Sequence, residues 1–381
     1  MRLKLSVSTL ITTAAVALCG YAFGFLLGDT QKNLDKAQSG ERPEESVLGK
    51  IFSATGGARR ARSADTATYY TAKRVLLLMG TRFEIGATAK SELAAQRAVD
   101  TAIAEVRRIE SVISSWDANS ETSHVNRSAG GGLVKVSPEL YGLLDRSLRI
   151  SELTDYAFDI AAGGLMRLYR FGGQDTTLPT AAQRRGALAG TGRGQIVLEP
   201  QSPFVELRDR RTRIGFGGIG KGYAANRALA RMRALEGVAG GVVNAAGDLA
   251  VFGRSSPTSS TWTIGIADPR DPARWLGSVS LERGAIVTSG DYEKYFTADG
   301  VRYAHIVDPA TALPTTGVRS ATVVSADAEI ADALATSLFV LGPTDGIALL
   351  DRLKGTEGLV VDSAGVVHTS RQLKLQPYIA E

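Results

Sequence analysis

In AEIADALATSLFVLG (328–342), one carboxylate and one hydroxyl, Asp332 and Thr336, stand four residues apart. A helix brings positions i and i+4 onto one face, so the two oxygens would sit together. Ile330, Leu334, Leu338 and Leu341 would line one side, and Phe339 and Val340 make the other side apolar too. A helix apolar all round is buried, and Asp332 is the only charge between Ile330 and Leu341. A buried carboxylate must be paired, because an isolated one is strongly destabilising. Two readings meet that demand. Asp332 either pairs with a basic side chain or backbone amides, or joins Thr336 as a ligand of a hard cation such as Mg²⁺ or Ca²⁺. A His-rich metal site does not fit a chain with 3 histidines.

Other segments carry weaker signals. YAHIVDPATALPT (303–315) places His305 in a strand ending at the turn signal Asp308-Pro309. His305 is there either as a packed strand residue or as a general base for chemistry near neutral pH. IVTSGDYEKYF (286–296) ends a strand in Thr288-Ser289-Gly290-Asp291, which suits a phosphate or a plain β-turn. Asp159 closes an apolar run in AFDIAAGG, and Asn244, Gly247 and Asp248 read as a turn in VNAAGDLAVFG. GFGGIGKGYAANRA (215–228) matches two phosphate-binding patterns at once. Gly215, Gly217 and Gly220 fit G-x-G-x-x-G, and Gly215, Gly220 and Lys221 fit G-x-x-x-x-G-K. A dinucleotide fold wants that loop after its first strand, whereas here it lies past the middle of the chain. A P-loop wants Ser or Thr after the lysine, and here the residue is Gly222. Both assignments fail on context.

The elements around these residues form a mixed pattern. Residues 73–87 read as strand, tight turn at Met79-Gly80-Thr81, and strand. Residues 89–114 have helical spacing through Ala98, Ile103, Val106, Ile109 and Ile113, and Ser137 caps a helix over 138–152. Residues 114–132 read as a polar loop, and 180–200 as loop-rich. After the glycine stretch comes a helix to Gly237, then strands alternating as a meander, the apolar helix, and a closing hairpin in GLVVDSAGVVHTS. The fold class is α+β, mixed, with largely antiparallel sheets and packed helices.

The chain's 381 residues and 44% apolar content allow a large core. A net charge of +5, without an aromatic-interleaved basic stripe, excludes nucleic acid as a partner. One cysteine, Cys19, excludes a disulfide framework and a multi-cysteine metal cluster. Arg2 and Lys4 precede an uncharged apolar run from Leu5 to Leu27 that is long enough to cross a bilayer. Residues 1–28 are therefore expected to be a signal anchor, with the N-terminus cytoplasmic and the rest exported. A cleaved signal, or a lipid on Cys19 after the poorly suited Leu18, are the alternatives. Polar, small-residue composition makes 29–68 a flexible linker, leaving 69–381 as the folded domain.

MGTRFEI, SSWDANSETSHVN, FDIAAGGLMRLYRFG, GFGGIGKGYAAN, VNAAGDL, AIVTSGDY, HIVDPATALP and ADALATSLFVLG occur in that order. Together they resemble the ordered motifs of the ApbE family of FAD:protein FMN transferases, over roughly residues 75–375. The resemblance implies the ApbE fold and a flavin transferase that splits FAD, joins FMN to a Ser or Thr hydroxyl of an exported acceptor protein, and releases AMP. It also implies an enzyme at the inner membrane whose catalytic domain faces the periplasm. Met79 and Trp116 would then pack on the flavin end, Asp159, Ile160 and Ala161 would lie along FAD, and Ile306 would contact it. Gly215 falls in the same FAD neighbourhood, Lys221 would meet the phosphates, and His305 would be the base. Asp332, Thr336 and the backbone carbonyl of Gly218 match the family's Mg²⁺ ligands.

The chain departs from the pattern at several positions. The family usually has an acid at Gly215 and another at Asn226, a Thr at Ala161, a Pro at Gly164, and glycines at Ala246 and Ala312. The missing acid at Gly215 raises two alternatives to transfer: a flavin-binding or delivery protein without turnover, and an FAD pyrophosphatase giving FMN and AMP.

Overall fold

A computed structural model describes residues 68–171, 178–298 and 300–377. The expected anchor over 1–28, and all but the last residue of the expected linker, lie outside the described residues. Strands β1 (Tyr70–Leu78) and β2 (Thr81–Ala89) form a hairpin whose last pair is Leu78 with Thr81. Its two-residue turn has positive φ at both Met79 (49°) and Gly80 (72°), the handedness that matches strand twist. Helix α1 (Glu92–Ile113) follows, with the Ser91 side chain accepting from the Ala94 N–H at 3.2 Å. Its buried residues Ala95, Ala98, Val99, Ala102, Val106, Ile109 and Ile113 follow the helical period.

The stretch read as a polar loop contains a seven-residue helix, α2 (Glu121–Arg127). It holds a single large apolar residue, Val125, so it leaves no periodic signature. Its N-cap, Ser120, was the available sign. Beyond β3 (Leu133–Lys135) comes α3 (Pro138–Leu153), capped by Ser137 and starting on a proline. The span read as loop-rich holds α4 (Ala181–Leu188), opened by a Thr180–Gln183 capping box. Its buried set is empty, which is why no apolar period marks it. Strands β4 (Ile196–Leu198) and β5 (Phe204–Leu207) then complete a small sheet in the order β3-β5-β4.

The glycine stretch leads into α5 (Gly220–Arg233), followed by β6 (Val238–Ala245) and β7 (Asp248–Gly253). The strands expected to form one meander divide among three sheets. β8 (Trp262–Asp268) pairs only with β9 (Asp271–Leu281), and β10 (Arg283–Gly290) enters the main sheet. β11 (Tyr295–Ala298) and β12 (Val301–Ala304) make a separate hairpin. β13 (Val318–Ser325), α6 (Ala328–Leu350), β14 (Thr356–Asp362) and β15 (Val367–Thr369) close the described chain.

The main sheet runs β1-β2-β6-β7-β10-β13-β14-β15, with every neighbouring pair antiparallel. Three helices lie along it. α1 packs on β1 and β2, α5 on β6 and β7, and α6 on β10, β13 and β14; α5 touches both other helices. This agrees with the α+β, largely antiparallel expectation. α6 breaks at Gly342 (φ 74°) before Pro343, so its first segment ends where the sequence placed the helix end. Leu334, Leu338 and Phe339 are buried in the core, each worth about 1.5–3 kcal/mol of burial. Ile330, in the first turn, is 39% exposed, so the apolar sheath expected around this helix is open at that end.

Candidate active site

The site forms where α5 meets α6, and glycine makes that meeting possible. A β-carbon at Gly222 would collide with the Ala328 carbonyl oxygen and come within 2.9 Å of Asp332 Cβ. One turn earlier, a β-carbon at Gly218 would sit 2.8 Å from the Thr336 hydroxyl. The turn before α5 and its first residues therefore lie directly on the Asp332–Thr336 face of α6. Ile219, at the N-cap of α5, offers no side-chain bond. The Gly222 N–H instead donates to Asp332 Oδ2 at 2.9 Å, so a carboxylate of α6 satisfies an orphan donor of α5. Asn226 adds a second tie: its amide donates to Asp327 Oδ1 (2.8 Å) and accepts from the Ala328 N–H (3.1 Å). An ionised acid at this position, which the resemblance leads one to expect, could not donate to Asp327.

Around this contact stands a cluster of charges from separate elements. Lys221 Nζ lies 3.0 Å from Asp248 Oδ2 and 3.8 Å from Asp332 Oδ1. Both acids are buried, at 3% and 1% exposure. Burial alone would lower the Lys221 pKa, but Asp248, then Asp332 and Glu293, outweigh it and hold the ammonium charged. Burial raises the pKa of Asp248 and Asp332, opposed mainly by Lys221. Glu293 is raised by burial as well. His305 Nε2 is 3.9 Å from Glu293 Oε2, and its Nδ1 is buried without a hydrogen-bond partner. Burial, then Lys221 and Lys294, push the His305 pKa down to about 4, so the imidazole is neutral at pH 7.

The donor set fits a hard divalent cation. Asp332 offers a carboxylate, Thr336 a hydroxyl packed on Gly218, and Gly218 a backbone carbonyl, all oxygen. Around Lys221, three acids (Asp248, Glu293, Asp332) face one cation, and the burial that raises their pKa values favours a further positive charge beside them. Among the described residues, no group of three or more His, Cys, Asp or Glu is placed to hold a metal, so such a cation relies on this mixed set.

The remaining expected site residues fall in different surroundings. Met79, half-buried, points its Cε toward Gly220. Ile113 also reaches Gly220, and Trp116, three residues on, stands 88% exposed. Asp159 Oδ1 accepts from the Ala161 N–H (2.8 Å) and Oδ2 from the Gly192 N–H (2.7 Å), so both its oxygens are engaged by backbone. Ile160 and Ala161 are core residues. Ile306 is buried beside His305, and its carbonyl accepts from the Thr315 N–H at 2.8 Å.

Gly215 has a packing explanation. Its N–H donates to the Ile160 carbonyl at 3.2 Å, and a β-carbon there would lie 2.8 Å from Gly163 Cα. The space that the acid expected from the resemblance would need is filled by the backbone of Gly163. Restoring that acid with Gly215→Asp is therefore expected to lower stability by about 2 kcal/mol and to reduce rather than raise flavin binding. Thermal unfolding and FAD titration check this. Ala246 and Ala312, where the family uses glycine, both adopt left-handed backbone (φ 53°), at a cost of about 1 kcal/mol each.

Residues 79–360 match the ApbE family, and the chain belongs to that family. The FAD:protein FMN transferase of Klebsiella pneumoniae (strain 342) is 32% identical over 258 residues, 67% of this chain and 79% of that protein. The FAD:protein FMN transferase of Treponema pallidum (strain Nichols) is 30% identical over 322 residues, covering 79% and 89%. The crystal structure of the ApbE protein from Thermotoga maritima superposes with a TM-score of 0.72 at 32% identity, covering 80% of this chain and 97% of that one. The apo form of the Pseudomonas stutzeri flavinyl transferase ApbE gives 0.70 at 26% identity, covering 81% and 97%. The chain is thus an enzyme of the transferase class its relatives define.

Two members of the cluster were not among the expected site residues. Asp248 read as a turn residue, and Glu293 lay unremarked in IVTSGDYEKYF. The only sign in the sequence was an acid closing a glycine-bearing turn; its meeting with Lys221 depends on β7 packing under α5.

Proposed function

We propose that this chain transfers the FMN moiety of FAD to a Ser or Thr hydroxyl of an acceptor protein and releases AMP. The observation that carries this reading is the meeting of Lys221, Asp332 and Thr336 at the α5–α6 contact of an ApbE fold, with the neutral His305 beside Glu293 and within electrostatic reach of Lys221. Lys221 presents fixed positive charge to the pyrophosphate. Bound Mg²⁺, held by Asp332, Thr336 and the Gly218 carbonyl, would neutralise charge on the phosphate oxygens. The acceptor oxygen forms a bond to the FMN phosphorus, the bond from that phosphorus to the bridging oxygen breaks, and AMP leaves with its electron pair. His305 takes the hydroxyl proton at Nε2, since Nδ1 is buried. The reading also sets the enzyme at the inner membrane through residues 1–28, facing an exported acceptor.

The deciding experiment incubates the full chain with FAD, Mg²⁺ and an acceptor carrying a short Ser/Thr flavinylation motif. Covalently yellow acceptor plus AMP supports transfer. Tight FAD without turnover identifies a flavin-binding protein instead, and free FMN with AMP a pyrophosphatase. A base with a pKa near 4 also sets the pH profile. Protonation of His305 removes the base, so the acid limb of kcat/KM should fall near pH 4, not near the 6.5 of an ordinary imidazole. Near-native transfer by His305→Asn would remove His305 from this role.

A further inference from the structure

Lys221 is shared unequally between two buried carboxylates. Its Nζ is 3.0 Å from Asp248 Oδ2 and 3.8 Å from Asp332 Oδ1. Asp332 accepts from the Gly222 N–H at Oδ2 and is also bonded by the Lys221 backbone N–H, and Oδ1 is the oxygen that faces the lysine ammonium, where lysine and an incoming cation compete. The lysine side chain has four rotatable carbons and is 26% exposed, whereas the Asp248 side chain is short and 4% exposed. Asp248 opens β7, where it pairs with Ala245 of β6, and β10 joins the strand from Leu249 onward. The turn before it is fixed by Asn244 Oδ1 accepting from the Gly247 N–H (3.0 Å) and by the Ala246 N–H donating to the Arg82 carbonyl (3.1 Å). Asp248 stands outside the expected cation ligands, yet its carboxylate is the closer anchor for the ammonium.

We propose that Asp248 is a positioning residue that draws Lys221 off Asp332, leaving Asp332 Oδ1 free for a divalent cation. The inference rests on the reading of Asp332 and Thr336 as cation ligands. Charges a few ångströms apart in a partly dry site interact strongly, so a shift of the ammonium from one carboxylate to the other changes cation affinity steeply. Without the Asp248 charge, Lys221 closes on Asp332 and becomes a competitor of the metal. The same arrangement keeps the lysine charged and beside the metal-binding carboxylate, where it can meet a phosphate.

The test is a double-mutant cycle on the full chain, read as Mg²⁺ affinity by calorimetry without FAD. D248N should weaken Mg²⁺ binding about 30-fold in the native background but about 3-fold or less in K221M, where no competitor remains. Equal losses in both backgrounds would mean that Asp248 acts only through its own charge, and would overturn the proposal. So would an unchanged affinity in D248N. Absence of Mg²⁺ binding by the unaltered chain would overturn the cation reading beneath it, an outcome distinct from the other two. Should D248N fail to fold by circular dichroism, Asp248→Ser removes the same charge and takes its place in the cycle.

Discussion

Gly222→Ala is expected to be the most damaging single methyl group that can be added near the site. Its β-carbon would overlap the Ala328 carbonyl oxygen, which belongs to the first turn of α6 and cannot rotate away as a side chain would. The two helices must separate, loosening the packing of Leu334 and Leu338 as well as the Gly222–Asp332 hydrogen bond. Overpacking against backbone costs about 3 kcal/mol, and transfer activity should be lost with the geometry. Thermal unfolding is the measurement. A midpoint within about 2 °C of the native chain would show that the α5–α6 contact is looser than described.

Asp332→Asn should separate chemistry from stability. The substituted side chain keeps an oxygen to accept from the Gly222 N–H, and Lys221 keeps Asp248 as its counter-charge. Removing a buried charge in this way leaves the fold close to its native stability. Transfer should nevertheless fall about 1000-fold, close to 4 kcal/mol of transition-state stabilisation, because the cation loses its carboxylate. Steady-state transfer at saturating FAD and varied Mg²⁺ is the assay. Near-native rates at ordinary Mg²⁺ would remove Asp332 from metal binding.

Local rules carried much of this fold. Ser137 marked the start of α3, the spacing of Ala98, Val106, Ile109 and Ile113 marked α1, and the Met79-Gly80 turn marked the first hairpin. Where burial is small the rules had nothing to act on, and α2 and α4 were missed. The site divides in the same way. Asp332 and Thr336 were legible because one helical turn relates them. Of the two readings of Asp332 the fold displays the paired one, since it accepts from an amide and faces a lysine, while the cation belongs to the proposed function. Asp248 and Glu293 were not legible, since nothing local says that β7 and the segment after β10 come to Lys221. Gly215 is the sharpest case. Its meaning lies in a contact with Gly163 that only the folded chain creates.

The sheet order also has a mechanical meaning. Among the described residues the sheet begins at β1, which is paired along one side only, with β2. Tension applied from that end loads the β1–β2 ladder one pair at a time, like a zipper, and spends itself in peeling an edge. Asp248 lies on β7, the fourth strand in the order, and α5 sits over β6 and β7. An enzyme tugged by its leading end would therefore fray at its margin while the strands beneath its charges stay clamped from both sides.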